Sequence, residues 1–118
     1  MRIAVDAMGG DRGLEVTIKG SIDATDELGV NIILVGKSDL IEEELSKYNY
    51  DSSKVEIVDA KDIITNDDEP AMAIRKKKES SMVIGLNLLK EKYVDAFISA
   101  GNTGALLSGG TLIVKRIK

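Results

Sequence analysis

The chain has 118 residues, 43% hydrophobic and 31% charged, a composition typical of one small globular domain. It contains no cysteine and no histidine, which excludes disulfides, cysteine nucleophiles, thiolate metal sites and a Ser-His-Asp triad within this stretch. A net charge of -4 and the absence of Trp argue against nucleic-acid binding. Because no apolar run reaches the roughly 18 residues that span a bilayer, we expect a cytoplasmic protein.

Four short β-branched or apolar runs alternate with helical patterns along the chain. These runs predict strands at residues 3–5, 31–35, 55–58 and 96–99. Strands that alternate with helices form right-handed β-α-β units and a sheet covered on both faces. We therefore predict an α/β fold of three layers, α-β-α, with a mainly parallel sheet.

Apolar spacing predicts the helices between these strands. The first contains Leu14, Ile18 and Ile22 and ends before Gly29, because glycine readily takes the left-handed backbone that follows a helix. Pro70 suits the first turn of a third helical region. The second helix is marked by Ile41, Leu45 and Tyr48. A last, longer helix is marked by Met82, Leu86, Leu89 and Tyr93. Ser80 or Ser81 caps the longer helix or marks a break before it.

The end of the chain predicts an incomplete domain. Residues 106–113 are apolar, and a basic stretch, 115–118, follows them. Four strands also make a small sheet for an enzyme of this class. We interpret residues 1–118 as the amino-terminal portion of a single α/β enzyme domain whose carboxyl-terminal part is missing.

The most specific local motif follows the fourth predicted strand and opens a helix. It contains Ser99, Gly101, Asn102, Thr103 and Gly104. Two glycines three residues apart let the backbone approach an anion closely, and the first amides of a helix favour negative charge. The motif is not a P-loop, because no Lys-Ser or Lys-Thr pair follows the second glycine. It predicts either a phosphate cradle or a plain strand-to-helix turn.

A second glycine motif follows the first strand. Gly9 and Gly10 permit a sharp loop with exposed amides, and Asp6 and Asp11 flank them. The two aspartates are suited to orient donors or a cationic partner. The simpler alternative is a turn with a helix-capping aspartate.

Two charged runs lie between the third strand and the long helix. The acidic run, 67–69, precedes Pro70 and is more typical of a solvated helix start than of a metal site. The basic run, 75–78, can attract phosphate or an acidic carrier protein, or it can be a solvated face. Consecutive residues point around a helix, so only part of the basic run can face one ligand.

Taken together, four segments resemble the bacterial phosphate acyltransferase family, known as PlsX. They occur in the family's order and cover almost the whole chain. The segments are Ile3–Asp11, Asp68–Pro70, Arg75–Lys77 with Ser80–Met82, and Ser99–Leu106. The family usually has a histidine, a small residue and a proline after Gly-Gly-Asp, where this chain has Arg12, Gly13 and Leu14. A catalytic or phosphate-contacting role of that histidine is therefore not assigned to any residue of this chain.

The resemblance implies transfer of a long-chain acyl group from acyl carrier protein to inorganic phosphate, giving acyl-phosphate for phospholipid synthesis. It implies a fold like that of phosphotransacetylases and isocitrate dehydrogenases, a homodimer, and no cofactor or metal. It also implies a membrane glycerol-phosphate acyltransferase as a partner that brings the enzyme to the membrane periphery. The predicted catalytic residues are Asp6, Asn102 and Thr103. The predicted phosphate- and substrate-binding residues are Gly9, Gly10, Arg75, Lys76, Ser80, Ser99, Gly101 and Gly104.

Two alternatives remain from the sequence. One is another enzyme of related fold, a phosphotransacetylase or an isocitrate-type dehydrogenase, although no G-x-G-x-x-G follows the first strand. The other is a non-catalytic module for anion binding or dimerisation. With part of the enzyme missing, we expect the 118-residue stretch to be inactive by itself.

Overall fold

The computed structural model describes residues 1–8, 13–65, 67–99 and 103–114. Within them, each predicted strand is confirmed to within one residue at either end. The strands are β1 (Arg2–Asp6), β2 (Asn31–Gly36), β3 (Val55–Asp59) and β4 (Ala96–Ile98). They pair in parallel in the order β3-β2-β1-β4. The predicted parallel sheet is confirmed.

Five helices connect and follow these strands in the described part of the chain. They are α1 (Gly13–Leu28), α2 (Ser38–Leu45), α3 (Pro70–Lys76), α4 (Ser81–Lys90) and α5 (Thr103–Gly109). A short 3-10 turn, Ser52–Lys54, precedes β3, and a π-helical segment, Gly110–Val114, follows α5.

Alternate strand residues face two separate helical layers, because successive side chains of a strand point to opposite faces. On one face, Val5 and Leu34 pack with Ile18 of α1 and Ile41 of α2. The opposite face has its own core, formed by Ala4, Ile33, Val35, Ala60 and Val94 with Ile84, Leu88 and Leu89 of α4. A third cluster joins α3, α4 and α5 through Ile74, Leu86 and Ala105. The three-layer α/β class is confirmed.

Two predicted helix ends are confirmed by their backbone geometry. Gly29 has φ +66°, and its amide donates to the carbonyl of Thr25 at 3.1 Å, which ends α1 as predicted. Pro70 is in the first turn of α3. Ser80 caps α4 by accepting from the amide of Val83 at 3.2 Å. The two serines therefore mark a break between α3 and α4.

Two aromatic residues were wrongly placed on helices. Tyr93 lies beyond the end of α4, because Lys92 takes φ 62° and the amide of Tyr93 donates to the carbonyl of Leu88 at 3.0 Å. This is a Schellman-type ending, and a lysine in the left-handed region gives no sequence signal for it. Tyr48 follows the last residue of α2, Leu45, although its ring still packs on the first core.

Candidate functional site

Three segments meet around the carboxylate of Asp6, the last residue of β1. Its Oδ1 accepts from the Ser81 hydroxyl at 2.7 Å and from the Met8 amide at 3.0 Å, and its Oδ2 accepts from the Ser99 hydroxyl at 2.9 Å. Asp6 is 5% exposed and Ser81 is 1% exposed. Buried polar groups are normally paired in this way, because an unpaired one is costly. Asp6 therefore fixes the end of β1 to the start of α4 and the end of β4.

The register of the sheet explains why Asp6 and Ser99 meet. Val5 pairs with Ile98, so Asp6 and Ser99 are the next residues along two neighbouring parallel strands. The chain leaves β1 through α1 toward β2 on one side, whereas β4 lies on the other side and is reached through α3 and α4. This reversal is a topological switch point, where open α/β sheets bind ligands beyond the carboxyl ends of their strands.

The two glycine motifs extend from this same edge of the sheet. Gly9, Gly10, Gly101 and Asn102 lie outside the described residues, as does the side chain of Thr103. The described residues that border them are Met8 and Ser99, both bonded to Asp6, and the first turn of α5. The structure thus brings the borders of both motifs together, although the sequence predicted them as separate motifs.

Gly104 lies inside the first turn of α5. This right-handed helical position does not require the left-handed backbone that only glycine tolerates well. Any special requirement for glycine at this position would come from close approach of another group to the helix.

The predicted substrate residue Ser80 is completely buried, and its hydroxyl accepts from the amide of Val83. The described structure therefore gives Ser80 a capping role, and its part in substrate binding stays a prediction. The neighbouring serine, Ser81, is the one whose hydroxyl reaches Asp6.

The basic run divides into residues with different surroundings. Arg75 and Lys76 are exposed in the last turn of α3, where cations suit the negative end of the helix. Lys77 instead donates to Asp68 and to the carbonyl of Ile63, both at 2.8 Å. The hydrogen bond with Asp68 raises the pKa of Lys77 and lowers that of Asp68. Lys77 thus belongs to the scaffold, and Arg75 and Lys76 keep their side chains at the surface.

The acidic run serves the start of α3. Glu69 is the N-cap and accepts from the amide of Met72 at 2.7 Å, while Asp68 holds Lys77 and the amide of Thr65. Among the described residues, no cluster of three or more carboxylates is placed to hold a metal ion.

A different polar cluster lies at the amino ends of the strands. The guanidinium of Arg2 stacks on the ring of Tyr93 at 4.0 Å, and the Tyr93 hydroxyl donates to Glu56 at 2.8 Å. That hydrogen bond raises the pKa of Tyr93. A cleft of about 310 Å³ opens beside Arg2 and Glu56. We do not assign the reaction to this cleft, because it lies at the edge of the sheet away from the switch point.

A family model described as a fatty acid synthesis protein matches residues 1–118, the whole chain. The chain belongs to this family. Among curated proteins, it is 52% identical to phosphate acyltransferases of Alkaliphilus oremlandii and Clostridioides difficile, and 53% identical to one of Clostridium kluyveri. Each match includes 100% of this chain and 35% of the relative. The resemblance to phosphate acyltransferases is confirmed, and the chain spans about one third of these relatives.

In the described part of the chain, no helix is both long and apolar enough to cross a membrane.

Ser81 lies in a segment that resembles the family, but it was not among the predicted site residues. The Ser80-Ser81 pair indicated a helix start, but 75 residues separate Asp6 from Ser81. No local pattern connects them. The indirect signal was that a strand-end aspartate and a helix-start serine share the carboxyl edge of a parallel sheet.

Proposed function

We propose that the full-length protein carrying this sequence transfers an acyl group from acyl carrier protein to inorganic phosphate, giving acyl-phosphate for phospholipid synthesis. The family and the names of the relatives support an acyltransferase of lipid synthesis. The structural observation that carries the proposal is the buried Asp6 cluster. It ties together the strand ends that border both glycine motifs, at the switch point of the sheet.

The proposed reaction needs positioning more than a protein nucleophile. An oxygen of hydrogen phosphate attacks the thioester carbonyl carbon, so that a C–O bond forms and the C–S bond breaks. The thiolate leaves and takes the proton that phosphate carried, which gives acyl-phosphate and free carrier thiol with no change in total charge. The protein must align the two substrates and stabilise the oxyanion with fixed donors.

We assign these tasks to the predicted residues by their positions. Backbone amides of the motif between Gly101 and Gly104 would hold phosphate or the oxyanion, helped by the side chains of Asn102 and Thr103. Asp6 would act in catalysis by holding Ser99, since its described donors already occupy both carboxylate oxygens.

The remaining predicted contacts would act at the border of the site. Gly9 and Gly10 would let a second set of amides approach the substrate. The exposed Arg75 and Lys76 would attract phosphate or the acidic carrier, and Ser80 would contribute through the start of α4.

The proposal includes the assembly inferred from the resemblance. Residues 1–118 would form the amino-terminal portion of a single enzyme domain in a homodimer. The enzyme would work in the cytoplasm, use no cofactor, and meet the membrane through a glycerol-phosphate acyltransferase.

Acyl transfer is tested with the full-length protein, a long-chain acyl carrier protein thioester and phosphate, with EDTA present. We expect acyl-phosphate and an equal amount of free carrier thiol. A parallel reaction with the coenzyme A thioester separates this activity from that of a phosphotransacetylase. The proposal would be overturned if acyl-phosphate formed from the coenzyme A thioester but not from the carrier protein thioester. It would also be overturned if no product formed unless a metal or nucleotide was added.

A further inference from the structure

Ser81 is held by contacts at both its backbone and its side chain. It is the first residue of α4, and its amide donates to the carbonyl of Asp62 at 3.1 Å. Its hydroxyl donates to Asp6 at 2.7 Å, the shortest of the three bonds to that carboxylate. Ser80 already supplies the cap of α4. The hydroxyl of Ser81 is therefore not needed for capping and is directed at Asp6.

The carboxylate of Asp6 connects α4 to Met8 and Ser99, which border the two glycine motifs. Ser81 and the Met8 amide share Oδ1, and Ser99 binds Oδ2. If the Ser81 hydroxyl is lost, Oδ1 keeps the Met8 amide as its one described donor. A buried carboxylate with a missing donor is expected to rotate or admit water, and either change moves its bond to Ser99.

We propose that Ser81 is a positioning residue for acyl transfer, which acts through Asp6 on Ser99 and the motif that follows β4. This inference rests on the proposed function. Ser81 is 1% exposed, so it has little access to substrate, and its effect on the reaction passes through the carboxylate. A displacement of about 1 Å at a reacting group can cost on the order of 100-fold in rate.

The test compares Ser81→Ala with Ser81→Thr in the full-length protein. Ser81→Ala removes the donor, whereas Ser81→Thr keeps a hydroxyl at the same position. The matched control is Ser21→Ala, because Ser21 is also buried, at 6% exposure, but its hydroxyl donates to the carbonyl of Thr17 in its own helix. Circular dichroism and urea unfolding establish the folded fraction of each variant, and kcat is given per folded molecule.

We expect Ser81→Ala to lower kcat about 10- to 100-fold, while Ser81→Thr stays within about 5-fold of the parent and Ser21→Ala within about 2-fold. A purely structural role would lower the urea midpoint of Ser81→Ala and leave its kcat per folded molecule unchanged. That second result would overturn the inference.

A double variant identifies the route of the effect. If Ser81 acts through Asp6 and Ser99, Ser81→Ala should lower kcat much less in a Ser99→Ala background than in the parent, because neighbouring residues in one network are non-additive. If the fold-decreases in kcat of the two single variants simply multiplied in the double variant, the route through Asp6 and Ser99 would be overturned. A folded parent protein that makes no acyl-phosphate would instead overturn the proposed function. In that case the parent, the two single variants and the double variant still test the hydrogen-bond network by their stability. Additive shifts in the urea midpoint would overturn the coupling of Ser81 with Ser99.

Discussion

The two ends of the same strands carry polar clusters of opposite character. At the carboxyl ends, Asp6 is 5% exposed and is bonded to small, fixed donors. At the amino ends, Tyr93 is 36% exposed and its partners Arg2 and Glu56 are also at the surface. Water can replace the contacts at the exposed end, so they contribute little to stability. At the buried end, the structure must rearrange before water can replace a lost donor, so the loss is more costly. The chemistry is therefore expected where the geometry is fixed.

The largest expected difference between the ends comes from matched aspartate substitutions in the full-length protein. Asp6→Ala would remove the carboxylate that accepts from the Ser81 and Ser99 hydroxyls and the Met8 amide. An unsatisfied buried group such as the Ser81 hydroxyl costs about 1–3 kcal/mol. We expect kcat to fall at least about 100-fold in the folded variant. The measurements are urea unfolding and acyl-phosphate formation.

Asp95→Ala is the control at the amino end, where Asp95 is exposed and accepts from the amide of Arg2. We expect a much smaller loss of stability and a kcat within about 2-fold of the parent. Equal losses of activity in the two variants would break the comparison between the ends.

Packing beneath the carboxyl end gives the second expected effect. A Cβ added to Gly85 of α4 would lie 2.1 Å from a ring carbon of Phe97 in β4, two residues before Ser99. Gly85→Ala should therefore destabilise the fold by about 1–3 kcal/mol through overpacking. Gly20 of α1 has nothing within 4 Å of its added Cβ, and Gly20→Ala should stabilise by about 0.5–1 kcal/mol. If urea unfolding showed that both substitutions change the free energy of unfolding in the same direction, the close packing of α4 on β4 would be contradicted.

The Asp68–Lys77 ion pair is intermediate in exposure, with side chains 26% and 29% exposed. The bond lowers the pKa of Asp68 from its ordinary value of 3.8 and raises that of Lys77 from 10.5. Its stabilisation should therefore be full between these two values, and should be lost as pH falls through the folded pKa of Asp68 or rises through that of Lys77. Asp68→Asn should flatten the decline in stability below about pH 4. An unchanged acid profile in urea unfolding would show that the pair does not contribute.

The smallest effect is expected at the amino end. Tyr93→Phe removes the hydroxyl that donates to Glu56 and leaves the ring under Arg2. Because the bond raises the pKa of Tyr93 above 10.0, its contribution is present below that pH and is lost as pH rises through the folded pKa. We expect unchanged kcat and a weaker loss of stability at alkaline pH. A large fall in kcat would give the amino end a role in the reaction.

The difference between local signals and long-range contacts explains what could be predicted from the sequence. The strands were predicted within one residue because β-branched runs and the end of α1 at Gly29 are local signals. Tyr93 was wrongly assigned to α4, since apolar spacing continued past a helix end that only the backbone of Lys92 reveals. Asp6 and Ser99 were predicted as separate members of two motifs. The hydrogen bonds of Asp6 with Ser81 and Ser99 depend on tertiary packing over 75 and 93 residues of sequence separation.

Hydrogen exchange of the full-length protein, measured with and without phosphate, tests most directly whether the carboxyl ends hold the reacting anion. We expect phosphate to slow exchange in peptides that contain residues 5–8, 97–99 and 103–106, and to leave residues 31–33 and 53–56 unchanged. The Asp6→Ala variant should lose this protection. Protection by phosphate confined to residues 31–33 and 53–56, beside the cleft at the amino ends, would contradict the account.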